Sequence, residues 1–154
     1  MTQRYLAKNE LISGNEGQII ATIEDKVYEL AEVRKLEATI TKKKAEAKVL
    51  GFRGTINKPT AYSGTGSVTV YYNSSMWSEL MERYVKQGID VYFSIIVTND
   101  DPGSIIGLQR VQLNGCNLNE LIIAKIDADA EFLDTNLAFT YEDYDLLDSF
   151  TRTW

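Results

Sequence analysis

The chain contains no histidine, a single cysteine and no apolar run that approaches the length of a membrane span. Without histidine there is no His-based catalytic triad, no imidazole metal ligand and no ordinary proton shuttle at neutral pH. The single Cys116 excludes an internal disulfide and suits a reducing cytoplasm. A membrane helix needs roughly 20 apolar residues in succession. These absences predict a protein that is not an enzyme, needs no cofactor or metal and does not insert into membranes.

Basic residues are also in deficit, because 16 Lys and Arg stand against 22 Asp and Glu, a net charge of −6. Proteins that hold nucleic acid by neutralising its phosphates are normally basic, so that class is disfavoured. At 154 residues the chain is long enough to bury a core, and it shows no internal repeat. We therefore predict one domain, residues 1–154.

One segment near the middle of the chain has a convincing helical pattern. Ser75 is a good N-cap, and Gly88 follows Gln87 where a left-handed C-cap is expected. The apolar residues at helical spacing between these caps are Trp77, Leu80, Met81, Tyr84 and Val85. This stripe is predicted to be the core face of a single helix.

Most of the remaining chain alternates with a period of two, which predicts strands. The predicted strands are Gln18–Ile23, Lys26–Leu30, Val33–Leu50, Gly66–Tyr72, Ile89–Val97, Ile105–Leu113, Ile122–Phe132 and Leu137–Tyr141. Turns are predicted at 99–103 and 114–119, a long loop at 51–64 and an acidic, aromatic tail at 146–154. A helix competes for 33–50, although the period favours a strand. The predicted fold is mainly β, a small β-barrel or β-sandwich with one packed α-helix.

Three carboxylates, Asp127, Asp129 and Glu131, share one face of the strand predicted at 122–132. Residues two apart on a strand are separated by about 7 Å, too far to chelate one ion without a second element. A solvated acidic face is therefore favoured over a metal site or an acid–base pair. Cys116 has no histidine partner and is interpreted as an inert small side chain.

Three sequence strings occur in a fixed order along the chain. They are Ile12-Ser-Gly-Asn-Glu-Gly17, the Gly64-Thr-Gly66 strand followed by Trp77-Ser-Glu-Leu-Met-Glu-Arg-Tyr-Val-Lys-Gln-Gly88, and Phe139-Thr-Tyr-Glu-Asp-Tyr-Asp145. Together they resemble the tail tube proteins of PBSX-type contractile phage elements, from about Leu11 to Phe150. The resemblance does not extend to the 51–64 loop or beyond Asp145.

The resemblance implies a structural protein whose rings of six copies stack into a hollow tube inside a contractile sheath. The implied partners are further copies of the chain and the sheath, baseplate and tape-measure proteins, with DNA, or ions in a headless bacteriocin, as passing cargo. The implied location is a virion or tail-like particle assembled in the bacterial cytoplasm. Phage, defective prophage and bacteriocin all remain open.

On this hypothesis Asp127, Asp129 and Glu131 face the lumen, with Thr39 and Thr41 beside them. The competing placement of the three carboxylates is the outer surface beneath a sheath. The long loop is assigned to contacts between stacked rings, and Lys42, Lys43 and Lys44 to a subunit contact or a solvated rim. The ring-stacking residues are Gly51, Phe52, Arg53, Gly54, Thr55, Ile56, Asn57, Lys58, Pro59, Thr60, Ala61, Tyr62 and Ser63.

The alternative from another class is a monomeric β-sandwich that binds carbohydrate or peptide through the exposed aromatic side chains of Tyr62, Tyr71 and Tyr92. An enzyme with a carboxylate pair is the weakest reading, since no second carboxylate run lies on a matching strand. Rings or tubes in electron micrographs separate the first hypothesis from the other two.

Overall fold

The computed structural model describes residues 7–151, which form a mainly β fold with one α-helix. The elements are β1 (Gly17–Ile23), β2 (Lys26–Glu29), β3 (Val33–Ala47), β4 (Ile56–Tyr71), α1 (Met76–Gln87), β5 (Phe93–Asp100), β6 (Leu108–Leu121), β7 (Asp134–Tyr141) and β8 (Asp143–Asp148), preceded by a 3₁₀ turn, Lys8–Glu10. The predicted fold class is confirmed. No helix within residues 7–151 is long and apolar enough to cross a membrane.

The strands form two antiparallel sheets that share β6. Sheet 1 has the order β2-β1-β5-β6-β8, and sheet 2 has the order β6-β7-β4-β3. The first part of β6, as far as Cys116, pairs with β5, and Asn117 to Leu121 pair with β7. The strand passes between the sheets at Gly115, which has a φ of +66° that glycine tolerates best. The turn predicted at 114–119 is therefore wrong, because this polar stretch is a bend inside a strand.

One hydrophobic core lies between the sheets and beneath α1. The largest side chains that are fully buried in it are Phe139, Ile95, Leu137 and Cys116. Trp77 of α1 joins this core and packs against the ring of Phe93, with the two ring centroids 5.5 Å apart. The alternation of β5 and β7 therefore has the expected physical cause, one buried and one less buried face.

Helix α1 has the predicted ends but not the predicted core face. Gly88 adopts the left-handed C-cap conformation, with a φ of +71°. Within the predicted core stripe, Trp77 is buried, and Leu80 and Met81 are half-buried. Tyr84 and Val85 are 53% and 67% exposed, so their core assignment is wrong for the single chain. The reason is that only the first half of the helix packs on the core.

The strand predicted at 122–132 is absent, since β6 ends at Leu121 and the chain then forms turns and bends until β7. The side chains that were predicted to face the core are instead exposed, and Ile126 is 97% exposed. Alanine, aspartate and glutamate dominate this stretch, and strands disfavour all three. Low β-propensity therefore outweighed a regular period of two.

The loop predicted at 51–64 is also wrong over most of its length. β4 begins at Ile56, so the true connection between β3 and β4 is 48–55, and β3 ends at Ala47 rather than Leu50. The start of the predicted C-terminal tail forms the end of β8, whose residues pair with β6. Residues 152–154 of that tail lie outside the described residues.

Cys116 is completely buried, and burial raises the pKa of its thiol to about 12. An unfolded thiol titrates near pH 9, so its stabilising contribution is complete below that pH and is lost as the pH rises towards 12. We expect the stability of the native chain to fall by roughly 2 kcal/mol more than that of Cys116→Ala between pH 8 and 10.5. Urea unfolding at both pH values measures this difference, and equal losses in the two proteins would contradict it.

Candidate assembly surfaces

The most exposed feature of the fold is a two-stranded arm, Thr41 to Ser63. β4 pairs with β7 only from Gly64 to Tyr71, whereas β3 and β4 stay paired out to Ala47 and Ile56. The paired part of the arm is therefore about 20 Å long, and every residue of the arm is exposed. An isolated two-stranded ribbon is marginally stable at best in water. The arm thus has little packing within its own subunit to stabilise it.

A β-bulge shapes the arm at its middle. Lys43 pairs with Ala61 and Lys44 with Pro59, so Thr60 is the extra residue on β4. The Thr60 hydroxyl donates to the Lys43 carbonyl at 3.1 Å and fixes the bulge. Pro59 has no N–H to donate, and the outer edge of β4 has no strand partner here. Pro59 is therefore compatible with a strand at this position, although proline in a sequence usually indicates a loop.

The base of the arm is held by aromatic side chains. The Tyr62 hydroxyl donates to the Glu142 carbonyl at 2.9 Å. A Cβ added to Gly64 would lie 2.7 Å from the ring of Tyr141, and one added to Gly66 would overlap the ring of Phe139. Both glycines thus leave space for rings of the paired strand β7.

The arm is strongly basic and has an apolar tip. It carries six basic side chains and one acidic one, a net charge of +5, so the other residues of the chain carry −11. The basic residues are Lys42, Lys43, Lys44, Lys48, Arg53 and Lys58. The exposed apolar side chains at the tip are Val49, Leu50, Phe52 and Ile56. Charge and apolar area on one projecting element are typical of a docking surface.

The outer face of sheet 2 is lined by small polar side chains. Thr39 pairs with Thr65 and Thr41 with Ser63, at positions that alternate with the core-facing residues of the same strands. The same face continues across the sheet through Ser67, Thr69, Asn136 and Thr140. The Thr69 hydroxyl donates to the Asn136 side-chain carbonyl at 2.6 Å. Lys35 and Glu37 lie on the same face and pair with each other at 3.3 Å, so the wall is rich in hydroxyls and amides but is not uncharged.

The structure does not bring the predicted lumen residues together. Asp127, Asp129 and Glu131 lie in the connecting segment, residues 122–133, and not on a strand. That segment adjoins the start of β3, where Arg34 pairs with Asp134 at 2.6 Å. Thr39 lies about 17 Å further along β3 than Arg34, so it is not beside the three carboxylates as predicted. Residues 7–151 contain no cluster of three or more His, Cys, Asp or Glu side chains placed to hold a metal ion.

The connecting segment is tied to the end of β4 and has an apolar surface. The Tyr72 hydroxyl donates to the Ile123 carbonyl at 3.0 Å, and the Tyr72 N–H donates to the Leu133 carbonyl at 2.9 Å. Phe132 meets Tyr71 edge-to-face, with ring centroids 6.5 Å apart. A groove of about 470 Å³ lies between Tyr71, Tyr72, Asn73, Phe132 and Leu133. The sequence pattern gives no sign of this groove, because Tyr71, Tyr72 and Phe132 all lie at predicted strand positions.

The exposed tyrosines do not form one binding platform. Tyr62 and Tyr71 lie nine positions apart on β4, about 30 Å of extended strand. Tyr62 is engaged with the carbonyl of Glu142, and Tyr71 lies beneath the Arg34 guanidinium at 5.6 Å from the ring centroid. Tyr62 and Tyr71 therefore do not line one common site, as the carbohydrate- or peptide-binding alternative would require.

Comparison with known proteins identifies the family to which this fold belongs. A family model described as phage tail tube protein matches residues 4–148. The chain belongs to the phage tail tube protein family. It is 36% identical over 149 residues to phage-like element PBSX protein XkdM of Bacillus subtilis strain 168, a match that covers 97% of this chain and 99% of that protein. The resemblance seen in the sequence strings is confirmed.

Two solved assemblies contain chains with the fold of this tail tube protein. A chain of the anti-feeding prophage baseplate, solved with six-fold symmetry, has a TM-score of 0.67 at 11% identity and covers 96% of this chain and 97% of its own. A chain of the sheath–tube complex of an extracellular contractile injection system, PVC, in the extended state has a TM-score of 0.67 at 9% identity and covers 91% and 95%. At such identities the likeness shows the shared fold.

Proposed function

We propose that this tail tube protein forms rings of six copies that stack into the inner tube of a contractile tail. The observation that carries the proposal is the arm, Thr41 to Ser63, a basic ribbon without a core of its own. Such an element has a physical reason to exist only in an assembly. The six-fold symmetry of one structural neighbour and the sheath–tube origin of the other support the ring and the sheath.

Ring closure follows from the edges of sheet 2. β3 pairs only with β4, and β6 from Asn117 to Leu121 has β7 as its only strand partner among the described residues. Unpaired strand edges in a free subunit invite pairing with other chains. Joining this part of β6 to a stretch of β3 of similar length in the next copy pairs both edges there and continues sheet 2 around the ring. This contact is heterologous, as a closed ring requires.

The hydroxyl-rich face of sheet 2 then forms the wall of the bore, with Thr39 and Thr41 on it. The strand alternation that predicted a lumen position for Asp127, Asp129 and Glu131 is absent, so the bore proposal depends on the threonine face. Hydroxyls and amides predominate on this face, and its Lys35 ammonium is paired with Glu37 at 3.3 Å, so little free positive charge faces DNA phosphates. The net charge of −6 per copy keeps the whole subunit repulsive to DNA, within a screening length of about 8–10 Å. DNA, or ions in a headless particle, passes as cargo without being held.

Stacking of rings is assigned to the arm, which includes the ring-stacking residues predicted from the sequence and the neighbouring Lys42, Lys43 and Lys44. The sheath, baseplate and tape-measure proteins are the further partners in this proposal. The assembly location is the bacterial cytoplasm, and the mature location is a virion or tail-like particle.

The proposal predicts that dilute protein is monomeric or mixed and that concentrated protein forms rings and tubes. Exposed edges and arms become paired only in the assembly, so association is favoured by mass action. Sedimentation velocity over a concentration series, with negative-stain electron microscopy of the same samples, measures this transition. A protein that stays monomeric at high concentration, even with preformed tube seeds, would contradict the proposal.

A further inference from the structure

We infer that the apolar tip of the arm of one copy docks in the groove beside the connecting segment of a copy in the adjacent ring. The inference rests on the proposed function and names the two surfaces that meet when rings stack. The tip comprises Val49, Leu50, Phe52 and Ile56, and the groove lies between Tyr71, Tyr72 and Phe132.

The two surfaces of one subunit cannot meet each other. The tip adjoins Ile56 at the start of β4, and the groove adjoins Tyr71 at the end of the same strand. The strand separates them by about 50 Å. A contact between them must therefore join two copies. Because the two surfaces differ, the contact is heterologous, and repeated from one ring to the next it is open-ended, as a growing tube requires.

Both surfaces expose apolar side chains that a docked tip would bury. Leu50 at the tip is fully exposed, and Phe132, which lines the groove, is 76% exposed. The groove of about 470 Å³ lies within the range of roughly 300–1,000 Å³ typical of pockets that bury a ligand. Aromatic walls and an apolar occupant are the composition expected at the centre of an interface.

The charges of the two surfaces are complementary. The arm has a net charge of +5, whereas the segment 122–134 carries four carboxylates and one lysine. Asp134 is already paired with Arg34 and Lys125. Asp127, Asp129 and Glu131 are exposed and take part in no ion pair within residues 7–151. They are thus free to meet the lysines of an incoming arm, which fixes the identity and the orientation of the partner.

A charge-swap series tests the inference. The arm variant carries Lys48→Glu, Arg53→Glu and Lys58→Glu, the basic side chains nearest the tip, and the segment variant carries Asp127→Lys, Asp129→Lys and Glu131→Lys. We expect each to raise the protein concentration needed for tubes by at least about tenfold, because like charges then face each other. The combined six-substitution variant restores the attraction and is expected to form tubes near the native concentration. Every substituted side chain is exposed, so we expect all the variants to fold. Melting temperatures near the native value are the measurement that checks this.

The control variant carries Lys8→Glu, Lys26→Glu and Lys86→Glu, which are exposed positions outside both surfaces, and it has the same change in net charge as the arm variant. We expect it to assemble like the native chain. Native tubes with no rescue in the six-substitution variant would overturn the docking inference and leave the tube function intact. Absence of tubes from the native chain would instead count against the proposed function.

Disulfide trapping tests the same contact in native-charge protein. Leu50→Cys with Phe132→Cys is expected to give a ladder of linked copies when tubes are oxidised, since the buried Cys116 does not compete. Leu50→Cys with Tyr92→Cys places the second thiol at an exposed site away from the groove and is expected to give no ladder. Tubes of the first variant without a ladder would overturn the inference.

Discussion

A subunit without its arm is expected to fold normally and to form no tubes. Replacing residues 44–60 by Asn-Gly joins Lys43 to Ala61, which pair directly in the native hairpin. A two-residue Asn-Gly turn is the preferred connection for such a pair. Every removed residue is exposed, so the core loses no contact. We expect a melting temperature within a few degrees of the native value and monomers at concentrations where the native chain assembles.

This design improves on deleting Ile56 to Ala61 alone, a change that is also expected to prevent elongation. The shorter deletion leaves the outer half of β3 without its partner strand. A loss of assembly could then come either from the missing contacts of the arm or from misfolding of β3. Circular dichroism and sedimentation separate folding from assembly in both variants. Full-length tubes from the armless subunit would show that the arm is not the stacking element.

The largest expected effect on stability comes from Gly66→Val. A Cβ at this position overlaps the ring of Phe139, which is 2% exposed and enclosed by the core, so neither group has room to move. Overpacking of a dense core costs typically 1–3 kcal/mol and occasionally more, and we expect about 3 kcal/mol or more here. The free energy of unfolding in urea measures the effect, and loss of soluble protein is its extreme form.

Two controls separate this clash from a general cost of replacing glycine. Gly14→Val places the same side chain where no heavy atom lies within 4 Å of the new Cβ. Thr65→Val adds valine to the neighbouring, exposed position of the same strand. Both are expected to change stability by less than about 1 kcal/mol. A Gly66→Val protein as stable as these controls would show that the ring does not fill the space above the glycine.

The features that the sequence predicts well depend on local chemistry or on one buried face. Ser75 and Gly88 mark the helix ends because capping is decided within a few residues. The β5 and β7 strands alternate because one face of each lies in the core. Family membership was reached from the order of three strings, and the family match confirms it.

The assembly surfaces were harder to predict, for two physical reasons. Both faces of the arm are exposed, so β4 shows no period between Ile56 and Ser63, and Pro59 adds a misleading loop signal. In the connecting segment the sequence is misleading in the other direction. Apolar and polar residues alternate from Ile122 to Phe132, but this stretch does not form a strand. Periodicity reports burial inside one subunit, and it gives no reliable signal where a segment is exposed on all sides.

A helical cryo-electron microscopy reconstruction of tubes formed by the native chain tests the central claim most directly. The account predicts six subunits in each ring, the Thr39 and Thr41 face of sheet 2 towards the bore and every arm tip against the connecting segment of a subunit in the next ring. Tubes in which sheet 1 lines the bore, or arms that contact only their own ring, would contradict it.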